Sequence, residues 1–429
     1  MVRRKKRKPV AAPALRALRD TPNADAQNRL LLAWLEDDRQ RRELYALVNQ
    51  GDGELTFPSR DSGQREDASH GLQTPRPPPV LGHAAVTLVT RRAAIDAMLR
   101  NKDTRYSSRV YTELGGGSFM LALDPKADDA GDAHCAQRKA YRRCFPDDER
   151  GIQQLAYAAC QDASIMSLRA VEFDLASFAE QAALRFCQKL MGYSFGDHAL
   201  LEATLRDAYA GLVYQVFGRH FTSDPLAMPK ARQALARLVS RTSRLIDAYA
   251  ANDADELKGR DQSALRFGVQ PVLAALGADD AELNGEQRAI IAVGAAVGTV
   301  GNVQAAACIA VQHLFSDPGR FTAAQALACR YLADEPTESA RWKELIEPAL
   351  RADPPIPFLP RIEVNGQGKA VREFLLALGG GTQGADAPAP DTEDPLIWGL
   401  PDGSAHACAG RVLAWPLIAE IVRHVMRLP

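Results

Sequence analysis

Residues Trp398–Ile418 read WGLPDGSAHACAGRVLAWPLI. A glycine-containing loop delivers Cys408 just ahead of an apolar run with helical spacing. Ala409 and Gly410 follow the cysteine, and His406 stands two positions before it. Helix N-termini stabilise anions, so a thiolate is favoured at such a place. A thiolate in turn is a ligand for soft metals. A cysteine of this kind is either a buried free thiol beside a tight turn or a metal ligand, and the rest of the chain has to decide.

The surrounding chain has 429 residues, a formal net charge of -1 and 46% hydrophobic content. That length suits several domains or one large, mostly helical domain. Near-neutral charge gives no reason to expect a nucleic-acid partner. The strong charge run is the start, MVRRKKRKP, which predicts a solvated, disordered basic tail over residues 1–27. No apolar segment follows it, so it does not read as a secretory signal. The seven cysteines are odd in number and lack metal-site pairing, which argues for a reducing, cytoplasmic compartment. The apolar run Ala289–Val311 is long enough to span a membrane. It contains Asn302 and Gln304 and lacks aromatic or basic anchors at its start, so a buried central helix is expected and no transmembrane anchor.

Taken outward from there, the pattern is helix after helix. Asn28–Val48 is predicted as one charged surface helix, and Pro58–Pro79 as an irregular, proline-rich connector. A short strand is expected over His83–Val89 and a helix over Ala93–Leu99. Further helices are expected over Phe173–Leu190, Leu200–Phe217, Ala231–Ala250 and Trp342–Arg351, the last containing Pro348. Asp353–Val364 is extended by its prolines, Phe374–Leu378 reads as a strand, and Gly379–Asp394 as a loop. The fold class is mainly α with a minor sheet.

Two further places carry candidate chemistry. His134 and Arg138 lie four apart at the start of a helical segment and share a face that Arg142 continues. Such a basic stripe either faces water or binds an anion. On the central helix, Gly298, Gly301, Asn302 and Ala305 share one face. A face this small admits either a neighbouring helix or a flat, rigid object. Gly115–Gly117 have no P-loop lysine or hydroxyl, so phosphate binding is a weak reading.

Together these pieces resemble a soluble, bacterial-type cytochrome P-450, from about Val80 to the C-terminus. The matches are YSS…GGGSFMLALDP with HCAQRKAYRRCFP, then DPPIPFLPRI, then HACAG with RVLA. The resemblance implies a single large heme-thiolate domain over 80–429, preceded by a helix and connector over 28–79. It implies heme b (iron protoporphyrin IX), with Cys408 as the axial ligand. His134, Arg138, Arg361 and His406 would be propionate partners, and Gly298 and Gly301 would cover the distal side of the ring. The expected activity is oxidation or rearrangement of a hydrophobic small molecule or lipid. The pocket would be lined by Val110–Phe119, Tyr209–Phe217 and Ala295–Asn302.

The chain also departs from the family pattern. The acid–alcohol pair that relays protons falls on Gly301 and Asn302, neither of which titrates. The Glu-x-x-Arg pair is broken: Arg351 is present, but Pro348 holds the acidic position and Glu347 lies one place earlier. The span from Arg361 to Cys408 is shorter than usual. The ligand loop has an extra residue between Gly403 and His406 and no Phe seven before the cysteine. Two oxidative routes therefore stand. One is a monooxygenase fed by a ferredoxin or reductase; the other is a peroxygenase or fatty-acid hydroperoxide isomerase needing no donor. The Asn302-x-Gln304 context resembles the P-450 domains of fungal fatty-acid diol synthases, with Asn302 steering the hydroperoxide and Gln304 off its face. A non-catalytic heme sensor or carrier on a degenerate P-450 fold is the alternative from another class.

Overall fold

The computed structural model describes residues 21, 24–50, 53–58, 85–101, 105–116, 119, 133–144, 148–167, 173–222, 224–278, 283–329, 336–367, 369–383, 395–398, 408 and 410–428. Most of the basic tail, the proline-rich connector after Pro58 and His406 lie outside them; the end of the tail expected over 1–27 is instead helical from Ala24.

A five-stranded mixed sheet gathers sequence-distant segments. Its strands are β1 (Glu54–Pro58), β2 (Ala85–Val89), β3 (Tyr106–Ser107), β4 (Phe358–Val364) and β5 (Ala370–Ala377), in the spatial order β1-β2-β5-β4-β3. Only the β2–β5 pair is parallel. The β4–β5 register sets Arg361 opposite Phe374 and holds Arg361 in a buried position. The strand expected over Phe374–Leu378 is longer at its start and ends at Ala377.

The expected single surface helix over Asn28–Val48 is instead two helices, α1 (Ala24–Glu36) and α2 (Asp38–Gln50). The break falls at Asp37, whose carboxylate accepts the Gln40 N–H at 2.8 Å and so caps α2. The apolar sides of both helices are not surface. Leu31, Leu35, Leu44, Tyr45 and Val48 pack with Phe57, Val86 and Leu375 of the sheet in one buried cluster. Beyond β2 runs α3 (Arg92–Arg100), where a helix was expected.

The segment after β5 also differs from expectation. Leu378–Gln383 is helical, not loop. Its glycines are there for close approach. A Cβ at Gly380 would stand 3.0 Å from the Thr90 carbonyl oxygen, and one at Gly381 would stand 2.9 Å from Leu396.

The helical body is built from α4 (Ala133–Cys144), α5 (Glu149–Ser167), α6 (Leu175–Met191), α7 (His198–Val216), α8 (Ala227–Ala251), α9 (Val272–Ala278) and α10 (Gly285–Phe315). After them come α11 (Pro318–Cys329), α12 (Pro336–Ala352), α13 (Leu378–Gln383) and α14 (Arg411–Met426). Helix α10 starts with a capping box in which Asn284 and Gln287 each accept the other's backbone N–H. It is long and apolar enough to cross a membrane, yet most of its apolar stretch is packed inside the fold. Alanine, valine and glycine make it thin enough for α6, α8 and α14 to pack around it. Along this core helix, Ala295, Gly298, Thr299 and Asn302 are only partly buried. Their i, i+3/i+4, i+7 spacing makes one stripe.

Helices α7 and α8 cross so closely that a Cβ at Gly211 would fall 2.1 Å from Ala231 Cβ. The end of α7 is tied to the sheet. Phe217 stacks on Phe358 with centroids 4.7 Å apart, and the following turn brings Arg219 and His220 to Glu373 of β5. All three charged or titratable residues are buried. Burial raises the Glu373 carboxyl, but the His220 hydrogen bond and the Arg219 and His220 charges overcome this and hold it at about 2. Since the ordinary value is 4.5, the stabilisation is complete above that pH and is lost as pH falls through the folded value. A Glu373→Gln variant should therefore lose about 3 kcal/mol at neutral pH and show a shallower decline between pH 4.5 and 2 than wild type. Urea denaturation across that range measures both.

Candidate heme-thiolate site

Cys408 sits directly before α14. Its N–H donates to the Trp398 carbonyl at 2.9 Å, which fixes the loop end. The N–H groups of Gly410 and Arg411 point at its sulfur, where the unpaired donors of a helix N-terminus should lie. Cys408 is accessible to solvent, yet protein surrounds its sulfur closely. Those two facts fit together if the sulfur lines a recess rather than a convex surface. The surrounding protein pushes the thiol up from its ordinary value. The N–H groups of Gly410 and Arg411 and the charges of Arg411 and Arg138 oppose that. A metal that displaces the proton would find the donors for the anion already in place.

Arg138 reaches the same neighbourhood from α4. Partial burial and the nearby Arg142 hold its guanidinium below its ordinary value, against the pull of Cys408, Cys135 and Tyr141. Tyr141, one turn on, also faces the loop: a Cβ at Gly410 would lie 3.4 Å from its hydroxyl and 4.0 Å from Cys408 Sγ. Arg138 and Tyr141 of α4 therefore both lie close to Cys408. His134 belongs to α4, one turn before Arg138. Arg361 is buried in β4, with Nη1 donating to the Pro360 carbonyl at 2.8 Å. Near it lies Tyr111, whose hydroxyl is pushed up to about 12 by burial against the lowering influence of Arg361. Tyr111 falls within the Val110–Phe119 segment expected to line a pocket, but its place beside Arg361 has no local sequence signal.

Across the core, the small face of α10 does receive a flat object, and it is a tyrosine. A Cβ at Gly301 would lie 2.3 Å from ring atoms of Tyr209 on α7. The Tyr209 hydroxyl donates to Asn302 Oδ1 at 3.2 Å. Gln304 faces elsewhere, its amide donating to the Ala176 carbonyl at 3.1 Å. Gly298 lies on the partly exposed stripe. From the three segments expected to line a pocket, Leu114, Phe119, Leu212, Val216 and Val300 belong to the large buried core of the helical body, with Tyr111 and Tyr209 packed against that core.

One expectation is overturned. The Glu-x-x-Arg pair is not broken but shifted. Arg351 Nη2 meets Glu347 Oε1 at 2.8 Å, both side chains largely buried in α12. One extra residue of spacing changes i,i+3 to i,i+4, which still leaves both groups on one helix face. Thr382 Oγ1 then donates to the Arg351 carbonyl at 2.6 Å, joining α12 to α13.

This donor set fits an iron porphyrin. Among the described residues no group of three or more His, Cys, Asp and Glu side chains could hold a metal ion. A lone thiol suits a metal that brings its remaining ligands with it, and a porphyrin brings four nitrogens and two carboxylates. Arg138 and Arg361 are matched to carboxylates.

Neither a protein-family model nor a curated protein sequence matches the chain. Solved structures do. The open cytochrome P-450 EryK from S. erythraea aligns with a TM-score of 0.62 at 16% identity, over 91% of this chain and 88% of its own. CalO2 aligns at 0.60 and 17% identity, over 91% and 89%. P-450 BioI, solved in complex with an acyl carrier protein ligated to hexadec-9Z-enoic acid, aligns at 0.61 and 16%, over 91% of each chain. The chain has the cytochrome P-450 fold.

The shifted pair should behave as a buried ion pair. Glu347→Ala should cost about 3 kcal/mol, because it removes a largely buried carboxylate that pairs with Arg351, and Glu347→Leu with Arg351→Met should recover most of that loss. A double-mutant cycle by thermal unfolding checks it.

Proposed function

We propose that this chain, built on a cytochrome P-450 fold, is a heme-thiolate oxidoreductase acting on a mostly apolar small molecule. The observation that carries this is the Cys408 sulfur, met by the N–H groups of Gly410 and Arg411 with the Arg138 charge alongside. In this reading the Cys408 sulfur would hold the heme iron. Arg138 and Arg361 would hold the two propionates, with His134 and His406 as their partners, and Gly298 would face the pocket, whereas Gly301 is covered by Tyr209. Bound there, iron protoporphyrin IX supplies oxygen–oxygen bond cleavage, which a thiolate ligand favours. The protein's own part would be to offer N–H donors and positive charge to a metal-bound sulfur, to neutralise two carboxylates and to exclude water from an apolar pocket.

The distal side favours a peroxide or a lipid hydroperoxide as oxidant over dioxygen fed by a ferredoxin or reductase. The stretch of α10 from Ala289 to Val311 carries no carboxylic acid. Asn302 can donate a hydrogen bond to a peroxide oxygen and steer its cleavage, but it cannot relay protons by titrating. A peroxide already holds the oxygen and the oxidising equivalents that such a relay would serve to generate from dioxygen. A fatty-acyl ligand is one candidate, since the fold neighbour BioI was solved with such an acyl group on its carrier protein. A non-catalytic heme carrier rests on the altered acid–arginine pair and the short span from Arg361 to Cys408; the Glu347–Arg351 contact speaks against the first of these. The cysteine usage fits a cytoplasmic protein.

Two experiments test this. The reduced protein with carbon monoxide should show a thiolate-ligated heme spectrum that Cys408→Ser abolishes; an unchanged spectrum in the variant would remove the assignment. Without any reductase, the protein should turn over a fatty-acid hydroperoxide, or substrate plus hydrogen peroxide. Asn302→Leu should lower that rate about 100-fold, and no turnover in wild type would sink the peroxide route.

A further inference from the structure

Gly301, Asn302 and Tyr209 form one unit. Only glycine at 301 admits the Tyr209 ring, since any Cβ would lie 2.3 Å from its atoms. The ring's place then sets the hydroxyl 3.2 Å from Asn302 Oδ1. Tyr209 is largely desolvated, which pushes its hydroxyl up from the ordinary value, so it stays a neutral donor. A primary amide has one acceptor oxygen and one donor NH2. With the oxygen facing the Tyr209 hydroxyl, the group that Asn302 has left for the partly exposed stripe is its NH2.

We propose that Tyr209 is a positioning residue that turns Asn302 into a hydrogen-bond donor, so that the pocket selects an apolar molecule bearing an acceptor oxygen, such as a carbonyl, an epoxide or a hydroperoxide. This rests on the stripe being the substrate side of α10, as in the proposed function. It goes further by naming the ligand's polar group and the residue on α7 that chooses it. Without the Tyr209 hydroxyl the amide is free to rotate, and it presents oxygen or NH2 alike. The α7–α8 crossing at Gly211 and the clamp at Arg219–Glu373, both after Tyr209 in the chain, hold the C-terminal end of its helix in place.

The test uses the heme-loaded protein and two probes of matched shape, 4-phenylcyclohexanone and phenylcyclohexane, with binding read by equilibrium dialysis. Wild type should bind the ketone more tightly than the hydrocarbon. Tyr209→Phe keeps the ring over Gly301 and removes only the hydroxyl, and it should cut that preference about fivefold to tenfold. Asn302→Leu should cut it as far, and adding Tyr209→Phe to Asn302→Leu should change nothing more. A merely structural role for Tyr209 weakens both probes by the same factor and leaves their ratio intact; that outcome overturns the proposal, as does a wild type with no ketone preference. The carbon monoxide spectrum of the same preparations reports the heme assignment separately, so failure of one is not confused with failure of the other.

Discussion

A sulfur anion inside a protein is tolerable only where donors and positive charge are already aimed at it. The start of α14 meets that demand with the N–H groups of Gly410 and Arg411 and with the charges of Arg411 and Arg138. Much of the surrounding architecture serves this point. The Trp398 carbonyl holds the Cys408 N–H, α4 brings Arg138 and Tyr141 against the loop, and β4 buries Arg361. The Glu347–Arg351 pair and the Thr382 bond to the Arg351 carbonyl join α12 to the short helix after β5.

Opposite that pole, α10 is defined by how little side chain it carries. Its alanines, valines and glycines let neighbouring helices pack close on most sides. Along one stripe the packing is left incomplete, and Asn302 stands there under Tyr209. The polar group at this position is thus governed by α7, a helix whose own end is fixed to the sheet by a buried carboxylate, a guanidinium and an imidazole.

Much of this was legible in residue order. The helical period of the central run, the cysteine ahead of an apolar helix, the His134–Arg138 spacing and the proline-extended DPPIPFLPRI are local patterns, and local patterns survive into the fold. The expectations that failed were of another kind. One continuous helix over Asn28–Val48 looked sound by period, but the Asp37 carboxylate offered the backbone a cap, and the sheet offered two separate apolar faces to cover. Gly379–Asp394 read as loop because glycine disfavours helices, yet packing against Thr90 and Leu396 leaves no room for a side chain at Gly380 or Gly381. The acid–arginine pair seemed lost because its spacing was judged against a pattern, whereas a helix pairs i,i+4 as readily as i,i+3.

Residue order by itself determined the mainly helical class, the cysteine at a helix start and the arginines suited to carboxylates, because each depends on neighbours a few positions away. Only the tertiary structure decided that Glu347 and Arg351 meet, that Tyr111 lies near Arg361 and that Tyr209 covers Gly301 and turns Asn302. Tyr209 and Asn302 are joined across the core by packing, and no spacing along a chain encodes which ring will fill the gap beside a glycine on another helix.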